Sequence, residues 1–181
     1  MNRKKPDTLK EWKDRIAVLL LVQNEIQRLD TQGLWQYYYP ELAATEEQLA
    51  AVEAKLGHKL DKEYRDFLSC ANGWEGFMQT VNLFSTKDLM GSPLMDYAME
   101  MLTILDDEHV IKASGFEKAE LLPIAATSQD RDLHVITRET SHQPGIVLWY
   151  AAEEIDRFPS FVEYFLAMAD YNRLQIDFFK T

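Results

Sequence analysis

Between Leu121 and Tyr150, three short apolar runs follow one another with only turn residues between them. They are Leu121 to Ala126, Leu133 to Arg138 and Ile146 to Tyr150, separated by Ser128-Gln129-Asp130 and by His142-Gln143-Pro144-Gly145. Loops this short cannot return the chain to the start of the next strand, so neighbouring strands must pair antiparallel. A sheet is therefore fixed in the second half of the chain, and the rest must supply its cover.

What surrounds this meander reads as helix. Leu9, Trp12, Ile16, Leu19, Val22, Ile26 and Leu29 recur at three- and four-residue spacing, one face of a long helix that should stop near Gly33. The aromatic run Trp35 to Tyr39, closed by Pro40, reads as a connector lying on the core. Thr45 with Gln48 forms a capping box ahead of Leu49, Val52 and Leu56, with Gly57 as the stop. Asp61 caps a further helix with Tyr64, Phe67, Leu68 and Ala71 inside, ended by Asn72-Gly73. One strand is expected within Phe77 to Phe84. Ser92-Pro93 opens a helix with Leu94, Ala98, Met101, Leu102 and Leu105 inward, and Ser160 with Glu163 opens a closing helix. Helices, a mixed middle, a meander and a closing helix make an α+β order: an antiparallel or mixed sheet of about four to six strands packed with helices. We expect one compact domain, with residues 1–40 as an N-terminal helical extension and 41–181 as the α+β body.

Charge narrows the function. The formal net charge is −11. Residues 1–30 hold 7 basic and 5 acidic side chains, whereas residues 31–181 hold 12 and 25. Such a body repels phosphates, which argues against nucleic acid and for a basic protein partner; solubility alone is the plainer reason for acidity. The longest apolar run, Ile16 to Val22, is too short for a bilayer. The basic opening Met1 to Lys5 is followed by Lys10, Glu11, Lys13, Asp14 and Arg15, so we expect no export signal. A single cysteine, Cys70, agrees with a reducing, cytoplasmic setting.

No catalytic constellation emerges. Asp130, Asp132 and His134, spaced by two, would share a strand face and could hold a metal for a hydrolase, but a turn aspartate, a strand aspartate and a packed histidine is the preferred reading. Cys70 sits at a helix C-terminus, where nothing lowers a thiol pKa. Neither a phosphate-binding glycine loop nor a nucleophile elbow is present. We expect no cofactor and no metal. The candidate partner-binding residues are Trp74, Glu75 and Phe77, aromatics and acid after a helix stop, together with Asp106, Asp107 and Glu108 at a helix end, and Asp130 and Asp132 in the meander. Burial of Trp74 in the core is an equal alternative.

Three landmarks carry a family resemblance. The first is Thr45-Glu46-Glu47-Gln48-Leu49 through Leu56-Gly57, then Leu60, Tyr64-Arg65-Asp66-Phe67-Leu68 and Asn72-Gly73. The second is Leu122-Pro123-Ile124-Ala125, Asp132-Leu133, Val135-Ile136 and Gly145-Ile146-Val147; the third is Ser160-Phe161-Val162-Glu163-Tyr164-Phe165. In this order they resemble the SUKH superfamily, which includes bacterial toxin-immunity proteins and a fungal cell-wall-assembly regulator. Asp61 stands where that family usually has proline, and Asp130-Arg131 where it often has a glycine-rich turn. The resemblance implies a helix-packed sheet that binds proteins without shared catalytic residues. It points first to an immunity protein neutralising a toxin such as a basic nuclease, and second to a regulatory adaptor or scaffold.

Overall fold

The computed structural model describes residues 8–180. The basic opening, Met1 to Lys5, lies outside them. Six strands form one antiparallel sheet in simple chain order: β1 (Trp74–Met78), β2 (Val81–Leu83), β3 (Leu121–Ala126), β4 (Asp132–Thr137), β5 (Val147–Ala151) and β6 (Glu154–Phe158). The three runs of the meander are β3, β4 and β5. The single strand expected within residues 77–84 is instead a hairpin, β1 and β2, turned at Gln79, whose φ is 54°. Strand β6 adds an edge that the meander pattern did not contain.

Seven α-helices accompany this sheet among the described residues. They are α1 (Thr8–Leu29), α2 (Glu46–Leu56), α3 (Lys62–Leu68), α4 (Thr86–Leu89), α5 (Pro93–Asp107), α6 (Val110–Ala113) and α7 (Phe161–Lys180). Of these, α5 and α7 pack against the sheet. Strand β3 is buried at every residue and β4 at every residue but its first, so both faces of the sheet centre are covered. On β4, His134 faces α7 and bonds Tyr164, while Leu133 and Val135 point the other way, also fully buried, where α5 packs.

The caps expected for α2, α3 and α5 form. Thr45 and Gln48 exchange bonds at the start of α2, Asp61 accepts from the amides of Glu63 and Tyr64, and Ser92 accepts from Met95. Helices α2 and α3 are locked by Glu53, buried yet charged. Its carboxylate accepts from Lys59 Nζ at 2.8 Å, the Leu60 amide at 3.2 Å and Arg65 Nε at 3.3 Å. Burial opposes its charge, but these donors win and hold its pKa below the usual carboxylate value.

Helix α1 ends four residues before Gly33. The buried Asp30 carboxylate takes the amides of Leu34 and Trp35 and the Tyr37 hydroxyl, so the chain turns there. Its apolar stripe is covered by the protein's own core: the Trp12 ring lies 5.3 to 5.6 Å from Phe67, Phe161 and Phe165. Truncating a ring so enclosed costs about 3–5 kcal/mol.

Gly73 explains the Asn-Gly landmark. A Cβ there would stand 2.8 Å from the Ser85 nitrogen and 2.9 Å from the Leu83 oxygen, so only glycine lets β1 start this close to the end of β2. Asn72 fastens the same point, donating to Thr86 Oγ1 at 2.9 Å and accepting from the Thr86 amide at 2.8 Å.

Candidate functional site

In an antiparallel meander, alternate loops share one end of the sheet. The turns β1–β2, β3–β4 and β5–β6 lie at one end, and with them Glu75, Asp130 and Asp132. Glu75 is exposed on β1 and lines, with Gln129 of the β3–β4 loop, a pocket of about 340 Å³. Asp130 is exposed beside it, and the Tyr97 hydroxyl donates to its carbonyl at 3.0 Å. Asp132 is half-buried. Its carboxylate accepts from Trp149 Nε1 at 2.6 Å; burial raises its pKa, that bond opposes the rise, and the charge of Asp130 adds to it. Trp149 meets Tyr171 edge-on at 5.3 Å, and the Tyr171 hydroxyl donates to Asp156 at 3.2 Å. This sheet end is thus acidic and rimmed by half-exposed aromatics.

The other expected residues fall elsewhere. Trp74 and Phe77 are 1% and 0% exposed, so neither can anchor a partner on the folded surface. Trp74 packs 6.1 Å from Phe77 and donates its indole N–H to the Tyr38 carbonyl at 3.0 Å; Phe77 packs 5.5 Å from Phe165. The alternation of a bulged strand carries both inward. Asp106, Asp107 and Glu108 stand at the C-terminal end of α5. Tyr97 lies ten residues earlier on that helix, so about 15 Å separates this cluster from the Asp130 end. The cluster faces no basic residue in its own last turn. Helix α5 therefore forms through its buried stripe, against the dipole.

The possible metal face does not assemble. His134 is fully buried with Nδ1 2.7 Å from the Tyr164 hydroxyl, Asp132 is engaged by Trp149, and Asp130 accepts from the Arg131 amide. Among the described residues no group of three or more His, Cys, Asp or Glu is placed to hold a metal ion. Burial holds His134 neutral, its pKa pushed down to about 3. Cys70 is half-buried and its thiol pKa is raised by that burial, the opposite of a nucleophile's environment.

Sequence reasoning missed Trp35, Tyr38, Gln79, Asn82 and Gln129, which line the pocket with Glu75. The aromatic run had signalled only a connector. A larger cleft, about 700 Å³, opens between α2 and α4 and is lined by Leu42, Gln48, Asn72, Lys87 and Met90 among others. It gathers none of the expected site residues.

The helix–loop–helix pair α2–α3, the meander and the start of α7 occur in the order that the three landmarks require. A match to the model of the SMI1/KNR4 family (SUKH-1) spans residues 43–167. The chain belongs to this family. The search of curated proteins finds no match. The SUKH-1 segment excludes α1, the connector through Leu42 and the last two-thirds of α7. It also excludes Trp35 and Tyr38, so one wall of the small pocket comes from outside the SUKH-1 match. No helix among the described residues is long and apolar enough to cross a membrane.

Proposed function

We propose that this SUKH-1 protein is a non-catalytic protein-binding domain of the cytoplasm, and that its partner is a basic toxin which it neutralises as an immunity protein. The observation that carries the reading is the sheet end itself: Asp130 and Asp132 lie there with half-exposed Trp149 and Tyr171, and Glu75 is exposed on the β1 edge, on a chain of net charge −11. An acidic surface of this kind speeds encounter with a basic protein, and aromatics at its centre slow release. Blocking would follow from occupying the toxin's own substrate-binding face. Asp106, Asp107 and Glu108 belong to a different surface and would add to steering only.

The test is capture of partners by the intact protein, washed through a salt series, with Asp130→Asn/Asp132→Asn as the comparison. We expect a basic protein that leaves as salt rises and is held less well by the double variant. A partner indifferent to both salt and substitution would sink the charge argument. A housekeeping protein surviving every wash would support the regulatory adaptor instead.

A further inference from the structure

Beyond its place in the acidic end, the small pocket has a chemistry of its own. Pairing of β1 with β2 slips between Trp74 and Met78, a bulge centred on Gly76 at φ +63°. A bulge re-aims the residues beside it, and here Glu75 is left exposed on the pocket wall while Trp74 and Phe77 turn inward. Asn82 holds the bulge, its Oδ1 accepting from the Gly76 amide at 2.8 Å. Opposite lies the connector. A Cβ on Gly76 would come within 3.1 Å of the Gln36 oxygen, so strand and connector touch backbone to backbone. Asp30 ties down Leu34 and Trp35 at one end of the connector, and the Trp74 indole grips Tyr38 at the other. The pocket is therefore built before any ligand arrives.

Its walls carry one carboxylate, Glu75, two aromatics, Trp35 and Tyr38, and side-chain amides from Gln36, Gln79, Asn82 and Gln129. Neither lysine, arginine nor histidine lines it. At about 340 Å³ it stands at the small end of ligand sites, large enough for one long side chain but not for a folded segment. Anions meet no donor of opposite charge there, and a purely apolar group would leave the amides and Glu75 desolvated.

We propose that this pocket receives a single arginine side chain of a bound protein, its guanidinium paired with Glu75, stacked on Trp35 or Tyr38 and bonded to the amide oxygens. The planar, five-donor guanidinium suits a site with a carboxylate, aromatic faces and several acceptors better than a lysine ammonium does. The inference rests on the partner-binding reading above. It adds that the connector outside the family match makes one wall of the specificity site.

The experiment is an NMR titration of the full chain with Nα-acetyl-arginine amide, and in parallel with its uncharged isostere Nα-acetyl-citrulline amide. We expect the arginine compound to shift the Trp35 indole and the Gln79 and Gln129 signals, with affinity about tenfold above that of the citrulline compound. Glu75→Gln, an exposed position whose change disturbs no packing, should erase that preference. Trp35→Leu should weaken the arginine compound alone. Equal response to the two compounds, shifts away from the pocket, or an unaffected Glu75→Gln would each overturn the proposal. A captured basic partner whose binding ignores Glu75→Gln would remove the pocket and leave the partner reading standing. Arginine binding without any basic partner in the capture would do the reverse.

Discussion

The two edges of this sheet are closed by different means. At β1 the outward carbonyls of Gly76 and Phe77 are met by side chains. Gln23 of α1 donates to both, at 3.0 and 3.1 Å, and Asn172 of α7 donates to Phe77 at 3.1 Å. Both carboxamides are buried, 5% and 2% exposed, and both lie outside residues 43–167. At β6, Glu154, Asp156 and Arg157 occupy the strand, Ile155 is exposed, and the Asp156 carboxylate takes the Arg157 amide. One edge is sealed by long-range amides and a covering helix; the other is guarded by charge. An unpaired edge invites association, and these are two of the remedies available. Sealing β1 also fixes the connector beside it, so the edge remedy and the arginine pocket share one piece of structure.

The largest expected effect weakens the sheet between its edges and so gives the comparison its baseline. His134 is neutral in the fold, its pKa near 3 against an ordinary 6.5. Above about pH 6.5 neither folded nor unfolded chain binds this proton, and the group contributes nothing to pH dependence. Below it the unfolded chain takes a proton that the fold refuses, so stability falls with falling pH until about pH 3. The slope is roughly 1.4 kcal/mol per pH unit, or ~3 kcal/mol by pH 4. Urea unfolding of the native chain and His134→Phe at pH 7, 5 and 4 reads it as the difference between the two. Parallel curves would show that some other group governs acid lability.

The second expectation addresses β1 directly. Asn172→Leu keeps the size of the side chain but removes the donor to the Phe77 and Met168 carbonyls, and should cost ~2 kcal/mol in urea unfolding. Gln23→Leu should cost about 1 to 2 kcal/mol, through the loss of its bonds to Gly76 and Phe77. Because both amides serve Phe77, the double variant should not be the sum of the two. Simple additivity would mean that the edge is not sealed as a unit.

The same contrast explains what could be read from residues alone. The meander, the α2–α3 pair, the caps of α2, α3 and α5 and the family landmarks are local patterns, and each stands where expected. Strand β6 was missed because an edge strand needs no apolar alternation: Glu154-Ile155-Asp156-Arg157 reads as a solvated turn. Strand β1 was misplaced because its bulge breaks the period of two that marks a strand. The signal for the sealed edge was present but unread: Gln23 and Asn172 each interrupt an apolar helical stripe, beside Leu19, Val22 and Ile26 in α1 and beside Phe165, Met168 and Ala169 in α7. A carboxamide at such a position must have a partner, although the sequence does not name it. Of the expected site, the acids Glu75 and Asp130 were legible as exposed charge, whereas Asp132 is half-buried under Trp149. The pocket was not, because Trp35 and Glu75 meet only through the path of the connector.

The smallest expected effect tests the β6 edge. Arg157 joins three groups there: Nε donates to Glu154 at 2.7 Å, a terminal nitrogen donates to the Ser114 carbonyl at 2.7 Å, and the guanidinium lies 5.4 Å from the Phe116 ring. Its pair with Glu154 is solvent-exposed and is worth a few tenths of a kcal/mol; the Ser114 bond and the ring contact add to that. Arg157→Ala should therefore cost about 1 kcal/mol or less in unfolding. Its clearer consequence is association, since removing a charge from an edge strand that already exposes Ile155 favours strand-to-strand pairing between copies. Sedimentation velocity over a concentration series should show larger species for Arg157→Ala and Arg157→Val, and none for Asn172→Leu at matched stability. Association by the Asn172 variant instead would place the vulnerable edge at β1 and make its amides, not the charges of β6, the device that keeps copies apart.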